Sequence, residues 1–138
     1  HKDSTLQATT ESVYDFNGNL LSFKDGKGNI TTYHYNLKDE LVSVVDASGN
    51  TTNFSYDGNG NLINAENAAR QNMKLVYTSQ NTVEQEINAL GQTTDYYYDA
   101  DGNLNEIKKA DKQVISYVQD KKIKHQLFTL TTIFNLLL

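Results

Sequence analysis

The sequence contains no cysteine, no proline and no tryptophan. Without cysteine there is no disulfide framework, no thiolate zinc site and no cysteine nucleophile. The absence of cysteine is compatible with any cellular or extracellular compartment. The chain begins with His1 rather than Met, and its opening HKDSTLQATT lacks the apolar core of a signal peptide. We therefore expect an internal fragment of a longer protein.

Long apolar runs are also lacking. The apolar tail, residues 127–138, has twelve residues, whereas a membrane-spanning helix needs about 20. The net charge of −5 argues against a nucleic-acid partner. Residues 1–107 carry 6 basic and 15 acidic side chains, a net of −9, and residues 108–138 carry six Lys against two Asp, a net of +4. We interpret the basic end as a solvated lysine-rich surface.

What the chain does contain is a repeat of 21 residues. The unit reads Y-D-x-x-G-N-L-x4-D-x-x-G-x-x-T-x-[YF]-x, after which the next tyrosine follows. We predict a repeat array over residues 1–126, with about five to six units. Residues 127–138 match no unit, and truncation or a frameshift would produce such an ending. The repeat tyrosines that keep strict register are Tyr14, Tyr35, Tyr56, Tyr77 and Tyr98.

Each unit predicts one antiparallel β-hairpin with two turns. The two glycine positions suit a positive φ, and the runs between them alternate with period two and are rich in Thr, Tyr and Phe. In residues 30–36, Thr31, Tyr33 and Tyr35 share a face, and the leucine six residues after each repeat tyrosine joins that face. Ile87 stands one residue late, which a bulge in that unit would explain. We predict an all-β array of hairpins forming a long curling sheet.

This unit resembles the YD repeat of RHS (rearrangement hotspot) proteins over roughly 120 residues. The family includes wall-associated bacterial proteins, encapsulating subunits of toxin complexes, and teneurins. The resemblance implies a segment of a large hollow shell, secreted or displayed at the cell surface or wall. In bacterial members the shell encloses a toxic C-terminal domain, so a toxin domain and neighbouring repeats are the implied partners. The chain departs from the family in having too few units to close a shell and no self-cleaving segment with D-P dipeptides.

No pattern in the sequence predicts catalysis or a cofactor. The string DADGN at Asp99 resembles the start of an EF-hand loop, but Leu104 and Ala110 occupy its glycine and glutamate positions. A looser calcium site is one interpretation of these aspartates. The simpler one is that Asp15, Asp57 and Asp99 accept backbone N–H bonds in the turn that follows each of them. The Gly-rich strings lack the GK[ST] of a phosphate loop. We expect a non-catalytic structural protein that holds neither a metal nor a cofactor.

The alternative function is a repeat module that binds carbohydrate or a cell-surface partner by ring stacking. Tyr97 alternates to the other face and is predicted to be exposed. We also expect the isolated chain to self-associate through its edge strands and its apolar tail. The candidates for ligand stacking, for which core packing is the competing role, are Tyr33, Tyr35, Phe54, Tyr56, Tyr96 and Tyr98.

Overall fold

The computed structural model describes residues 8–116, which form eleven β-strands and no helix. They belong to two compact units that divide between Phe54 and Ser55. The strands up to this division are β1 (Glu11–Tyr14), β2 (Leu20–Lys24), β3 (Ile30–Tyr35), β4 (Leu41–Val45) and β5 (Thr51–Tyr56), the last of which contains it. The strands after it are β6 (Leu62–Glu66), β7 (Asn72–Tyr77), β8 (Val83–Ile87), β9 (Thr93–Tyr98), β10 (Leu104–Lys109) and β11 (Val114–Ser116).

Consecutive strands pair antiparallel within each unit. In the first unit β1 pairs with β2, β2 with β3, β3 with β4 and β4 with β5. In the second unit the same order runs from β6 to β11. The predicted all-β array of antiparallel hairpins is confirmed. The predicted end of the array at residue 126 and the apolar tail, residues 127–138, lie outside the described residues, so these two boundaries stay predictions.

The turns are set by residues in the left-handed backbone region. Within residues 8–116, these residues fall only in the two glycine positions of the repeat, four and fourteen residues after the repeat tyrosine. Glycine adopts this region without a Cβ clash, and Asn and Asp tolerate it better than other side chains. Gly26 and Gly58 lie outside those two positions, and neither has a positive φ. The residues with a positive φ are Gly18, Gly28, Asp39, Gly49, Gly60, Arg70, Asn81, Gly91, Gly102 and Lys112.

A β-bulge recurs in the hairpins at one position of the repeat. Tyr14 pairs with Leu20 and Val13 pairs with Ser22, so Leu21 has no partner across the ladder. The same shift occurs between β3 and β4, between β7 and β8, and between β9 and β10. Because one residue is extra, the side chains six and nine residues after the tyrosine reach the same face.

The expectation that a bulge restores Ile87 to the apolar face is wrong. The β7–β8 hairpin has the same bulge as the others, and Leu75 pairs with Glu86 while Ile87 pairs with Lys74. The alternation of the strand therefore sends Ile87 to the opposite face and puts Glu86 among the apolar side chains. In the other units this slot holds Phe23, Val44, Ala65 and Ile107.

The buried apolar side chains lie on the face that carries the repeat tyrosines, which we call the tyrosine face. In the first unit Phe54 is buried. The strand pairs on this face include Tyr33 with Val44 and Tyr96 with Ile107. No helix within residues 8–116 is long and apolar enough to cross a membrane. The buried apolar residues of the second unit are Leu62, Ala65, Met73, Leu75, Val83, Tyr96 and Leu104.

Candidate functional site: tyrosine face and hairpin corners

Each corner between two strands is closed by the residue one or eleven positions after a repeat tyrosine. In YDGNGNL the backbone N–H of Asp57 donates to the carbonyl of Asn61 at 2.9 Å, and the N–H of Gly60 donates to the carbonyl of Asp57 at 3.1 Å. The Asp57 Oδ1 accepts the backbone N–H groups of Asn59 and Asn61, each at 2.9 Å. Its Oδ2 accepts Asn61 Nδ2 at 3.0 Å. The prediction that this aspartate accepts backbone N–H bonds in the turn is confirmed.

In eight of the ten corners within residues 8–116, an Asp or Asn corner residue is complemented by the side chain four residues later. Where the corner residue is Asp, the partner is Asn, whose amide donates to the carboxylate. Where it is Asn, the partner is Glu or Gln, whose oxygen accepts, as in Asn36 Nδ2 to Glu40 Oε2 at 2.6 Å. Sequence reasoning missed this pairing, although comparing the two repeat columns would have found it. The pairs are Asp15–Asn19, Asp25–Asn29, Asp46–Asn50, Asp57–Asn61, Asp99–Asn103, Asn36–Glu40, Asn67–Gln71 and Asn88–Gln92.

These hydrogen bonds favour the ionised carboxylates. The side-chain and backbone N–H groups of Asn61 hold the pKa of Asp57 below its usual value of 3.8. The pKa values of Asp15, Asp25 and Asp46 are lowered for the same reason by their own asparagines. The pKa of Asp99 is lowered chiefly by the backbone N–H of its asparagine partner. Both oxygens of each of these carboxylates accept hydrogen bonds within the turn. Within residues 8–116, no group of three His, Asp or Glu side chains is placed to hold a metal ion.

The repeat tyrosines tie consecutive hairpins together through their hydroxyl groups. In three of them, Tyr35, Tyr77 and Tyr98, the hydroxyl donates to a backbone carbonyl 15 residues earlier, on the second strand of the preceding hairpin. This gives the tyrosine a role that phenylalanine cannot fill, because a carbonyl in a half-buried site needs a donor. The bonds run from Tyr35 Oη to Leu20 O at 3.1 Å, from Tyr77 Oη to Leu62 O at 2.7 Å and from Tyr98 Oη to Val83 O at 2.6 Å.

Burial and negative charge hold these hydroxyl groups in the neutral form. Burial, followed by the charges of Asp57 and Glu86, raises the pKa of Tyr77 to about 12. Burial also raises the pKa of Tyr98, with a further contribution from Glu86. Glu86 is therefore the residue on the tyrosine face that sequence reasoning did not find. The visible signal was the acidic side chain nine residues after Tyr77, where the other units carry an apolar one.

The six side chains predicted as ligand-stacking candidates are not equally accessible. Phe54 is 7% exposed and Tyr96 is 8% exposed, so neither ring offers a free face. The hydroxyl groups of Tyr35 and Tyr98 are held by backbone carbonyls. Ring stacking on a ligand stays a prediction for this set. The remaining members, Tyr33, Tyr35, Tyr56 and Tyr98, are half-buried.

A groove of about 510 Å³ lies in the second unit and includes residues of the face opposite the tyrosine face. Tyr97, which lines it, is 45% exposed, so its predicted exposure is confirmed. The Lys108 Nζ lies 4.8 Å from the centre of the Tyr97 ring. Beside it, Gln85 Nε2 donates to Asp95 Oδ1 at 2.6 Å. The groove thus combines an exposed aromatic ring with hydrogen-bonding groups.

Repeated hairpins, closed corners and hydroxyl links between neighbouring hairpins define the class of protein, a β-hairpin repeat array with a YD unit. A family model described as Teneurin YD-shell matches residues 3–118. The chain belongs to this family, which confirms the predicted RHS/YD-repeat identity. No curated protein matches the chain.

Solved structures with the same fold include toxin complexes. The crystal structure of TcdB2-TccC3-Cdc42 aligns with a TM-score of 0.62, and that of TcdB2-TccC3 with a TM-score of 0.60. A mutant Photorhabdus luminescens Tc holotoxin pore aligns with a TM-score of 0.60. Each is 21% identical to this chain, and each alignment covers 72% of this chain and 5% of the other. The chain therefore spans about a twentieth of the length of these structures.

Proposed function

We propose that this chain is a wall segment of a larger YD-repeat shell, with an encapsulating role and no catalysis of its own. The observation that carries this proposal is the repeated link from a tyrosine hydroxyl to the preceding hairpin. The polar groups that recur in every unit are committed to closing corners and joining hairpins. Such an arrangement suits a wall that is extended by adding units.

We infer further that the parent protein is a secreted or wall-associated toxin-delivery protein that encloses a toxic domain. The support is the family match and the likeness to structures of toxin complexes. Because the aligned segment covers 5% of those chains, the cargo and the location of the parent are properties to be tested on the parent itself.

The test uses the protein encoded by the complete gene, purified from both the culture supernatant and the cell-wall fraction. Electron microscopy should show a hollow particle whose wall contains residues 8–116. Limited proteolysis should spare a C-terminal segment until the particle is opened by denaturant. A solid or filamentous particle, or a C-terminal segment cleaved as quickly as the exposed termini, would refute the encapsulating role. Retention of the intact protein in the cytoplasm would refute secretion.

A second candidate function is binding of carbohydrate or of a cell-surface partner. The observation that favours it is the groove beside the exposed Tyr97, where Gln85 and Asp95 offer hydrogen-bonding groups. A glycan array followed by calorimetry tests it with Tyr97→Ala. Val13→Ala is the control, because Val13 is 53% exposed and does not line the groove. Binding that Tyr97→Ala leaves unchanged would exclude the groove.

A further inference from the structure

Two hairpin corners contain an asparagine followed by glycine. They are Asn17–Gly18 and Asn59–Gly60, and all four residues are exposed. Glycine has no side chain to hinder its own backbone nitrogen from approaching the preceding asparagine side chain. An exposed Asn-Gly step in a turn is therefore the sequence in this chain best suited to spontaneous deamidation.

These two asparagines also reach the corner of the following hairpin. Asn17 Nδ2 donates to Asp39 Oδ1 at 2.9 Å, a bond that spans 22 residues. Asn59 Nδ2 donates to Asn81 Oδ1 at 3.1 Å across the same interval. Asp39 and Asn81 occupy equivalent left-handed positions in their own corners. The two contacts have the same geometry, and they differ in the charge of the acceptor.

We propose that Asn17 and Asn59 are deamidation sites, and that conversion loosens the contact between successive hairpins more at Asn17 than at Asn59. In the reaction the backbone nitrogen of Gly18 or Gly60 bonds to the asparagine Cγ. The bond from Cγ to Nδ2 breaks, and the amide nitrogen leaves as ammonia. Water then opens the cyclic imide, leaving aspartate or isoaspartate.

The different outcomes follow from the acceptors. A carboxylate at position 17 faces the carboxylate of Asp39, so a donor–acceptor bond becomes a repulsion between like charges at hydrogen-bond distance. A carboxylate at position 59 faces the neutral amide of Asn81, which carries a donor as well as an acceptor. The Oδ1 of Asn81 also accepts Asn61 Nδ2 at 2.8 Å, which holds the amide in place, so conversion of Asn59 removes one hydrogen bond without setting two full charges against each other.

The first test is peptide mapping of the whole folded chain after incubation at mildly alkaline pH. Conversion should appear at Asn17 and Asn59 before Asn29 and Asn61, which are followed by Ile30 and Leu62. The chain unfolded in urea is the control, because the N–H of Gly18 donates to the Asp15 carbonyl at 3.2 Å and must be released before it reacts. The proposal is overturned if the folded chain shows no conversion at either Asn-Gly step while the unfolded chain is converted.

The second test compares Asn17→Asp with Asn59→Asp by thermal unfolding at low salt. Asn17→Asp should lower the midpoint by roughly 4 °C, and the deficit should shrink in high salt. Asn59→Asp should lower the midpoint by less, and high salt should not restore it, because it loses a hydrogen bond without gaining a repulsion between full charges. The double variant Asn17→Asp with Asp39→Asn should recover the loss, because the pair regains a neutral partner. Equal midpoints for the two single variants, or no recovery in the double variant, would overturn the proposed difference.

Discussion

Replacing Tyr77 by phenylalanine isolates the hydroxyl link between two hairpins. The change keeps the ring on the tyrosine face and removes the 2.7 Å bond from Tyr77 Oη to the carbonyl of Leu62. Leu62 is buried, so water has limited access to replace the lost donor. An unsatisfied buried acceptor costs about 1–3 kcal/mol. Because Tyr77 is half-buried, we expect the lower end, about 1 kcal/mol in the free energy of unfolding.

The same substitution should also change the response to alkaline pH. The folded-state pKa of Tyr77 is about 12, above the ordinary value of 10.0. The resulting contribution to stability is fully present below pH 10 and is lost as the pH rises towards 12. The parent protein should therefore lose more stability than Tyr77→Phe between pH 9 and pH 12.

Urea unfolding followed by circular dichroism at neutral and alkaline pH measures both effects. Tyr14→Phe is the matched control, because Tyr14 is a repeat tyrosine that is 59% exposed. If Tyr77→Phe and Tyr14→Phe unfold at the same urea concentration, the hydroxyl link does not stabilise the array. If Tyr77→Phe and the parent lose the same free energy of unfolding between pH 9 and pH 12, the raised pKa of Tyr77 does not contribute to stability.

Four further substitutions test other features of the unit. Arg70→Gly should raise the free energy of unfolding by about 1 kcal/mol, because Arg70 has a φ of 63°. Gly49→Ala should lower the free energy of unfolding by a similar amount, because Gly49 has a φ of +85°, while no atom lies within 4 Å of the added Cβ to clash with it. Urea unfolding measures both changes. A less stable Arg70→Gly together with a more stable Gly49→Ala would refute the argument from backbone strain. Asp57→Ala should flatten the loss of stability as the pH falls below 3.8, because the carboxylate contributes only while ionised, and an unchanged acid limb would contradict this. Glu86→Gln should lower the pKa of Tyr77, as measured by ultraviolet titration. An unchanged pKa would show that the charge of Glu86 does not act on the Tyr77 hydroxyl.

Much of the fold could be predicted from the spacing of a few residues. The two glycine columns predicted the turns, and non-glycine residues in those columns, such as Arg70 and Lys112, also adopt a positive φ. The strand pattern correctly placed the repeat tyrosines and the following leucines opposite one another. The array imposes these features because each hairpin must match the register of its neighbours.

The candidate site could be predicted less well, because its contacts join residues that no local pattern connects. The hydroxyl of Tyr98 bonds to a backbone carbonyl of the previous hairpin, and a carbonyl has no signature in the sequence. The recurrent bulge was also hidden, since a period-two pattern places the residue eight positions after the tyrosine on the tyrosine face. Glu86 was obscured for the same reason, because Ile87 looked like the displaced apolar residue.

The repeat needs particular chemistry at only a few of its 21 positions, and this accounts for the low identity to structures of the same fold. The hairpin requires a ring with a hydroxyl group, a corner acceptor with its matched donor, two residues in the left-handed backbone region, and an apolar residue after the corner. Even these allow exchange, since the acceptor and donor of Asp57–Asn61 are reversed in Asn36–Glu40. An array built in this way can vary most of its surface while it keeps its hairpins in register. The segment in which the parent protein differs functionally from its relatives is therefore expected outside these shared positions.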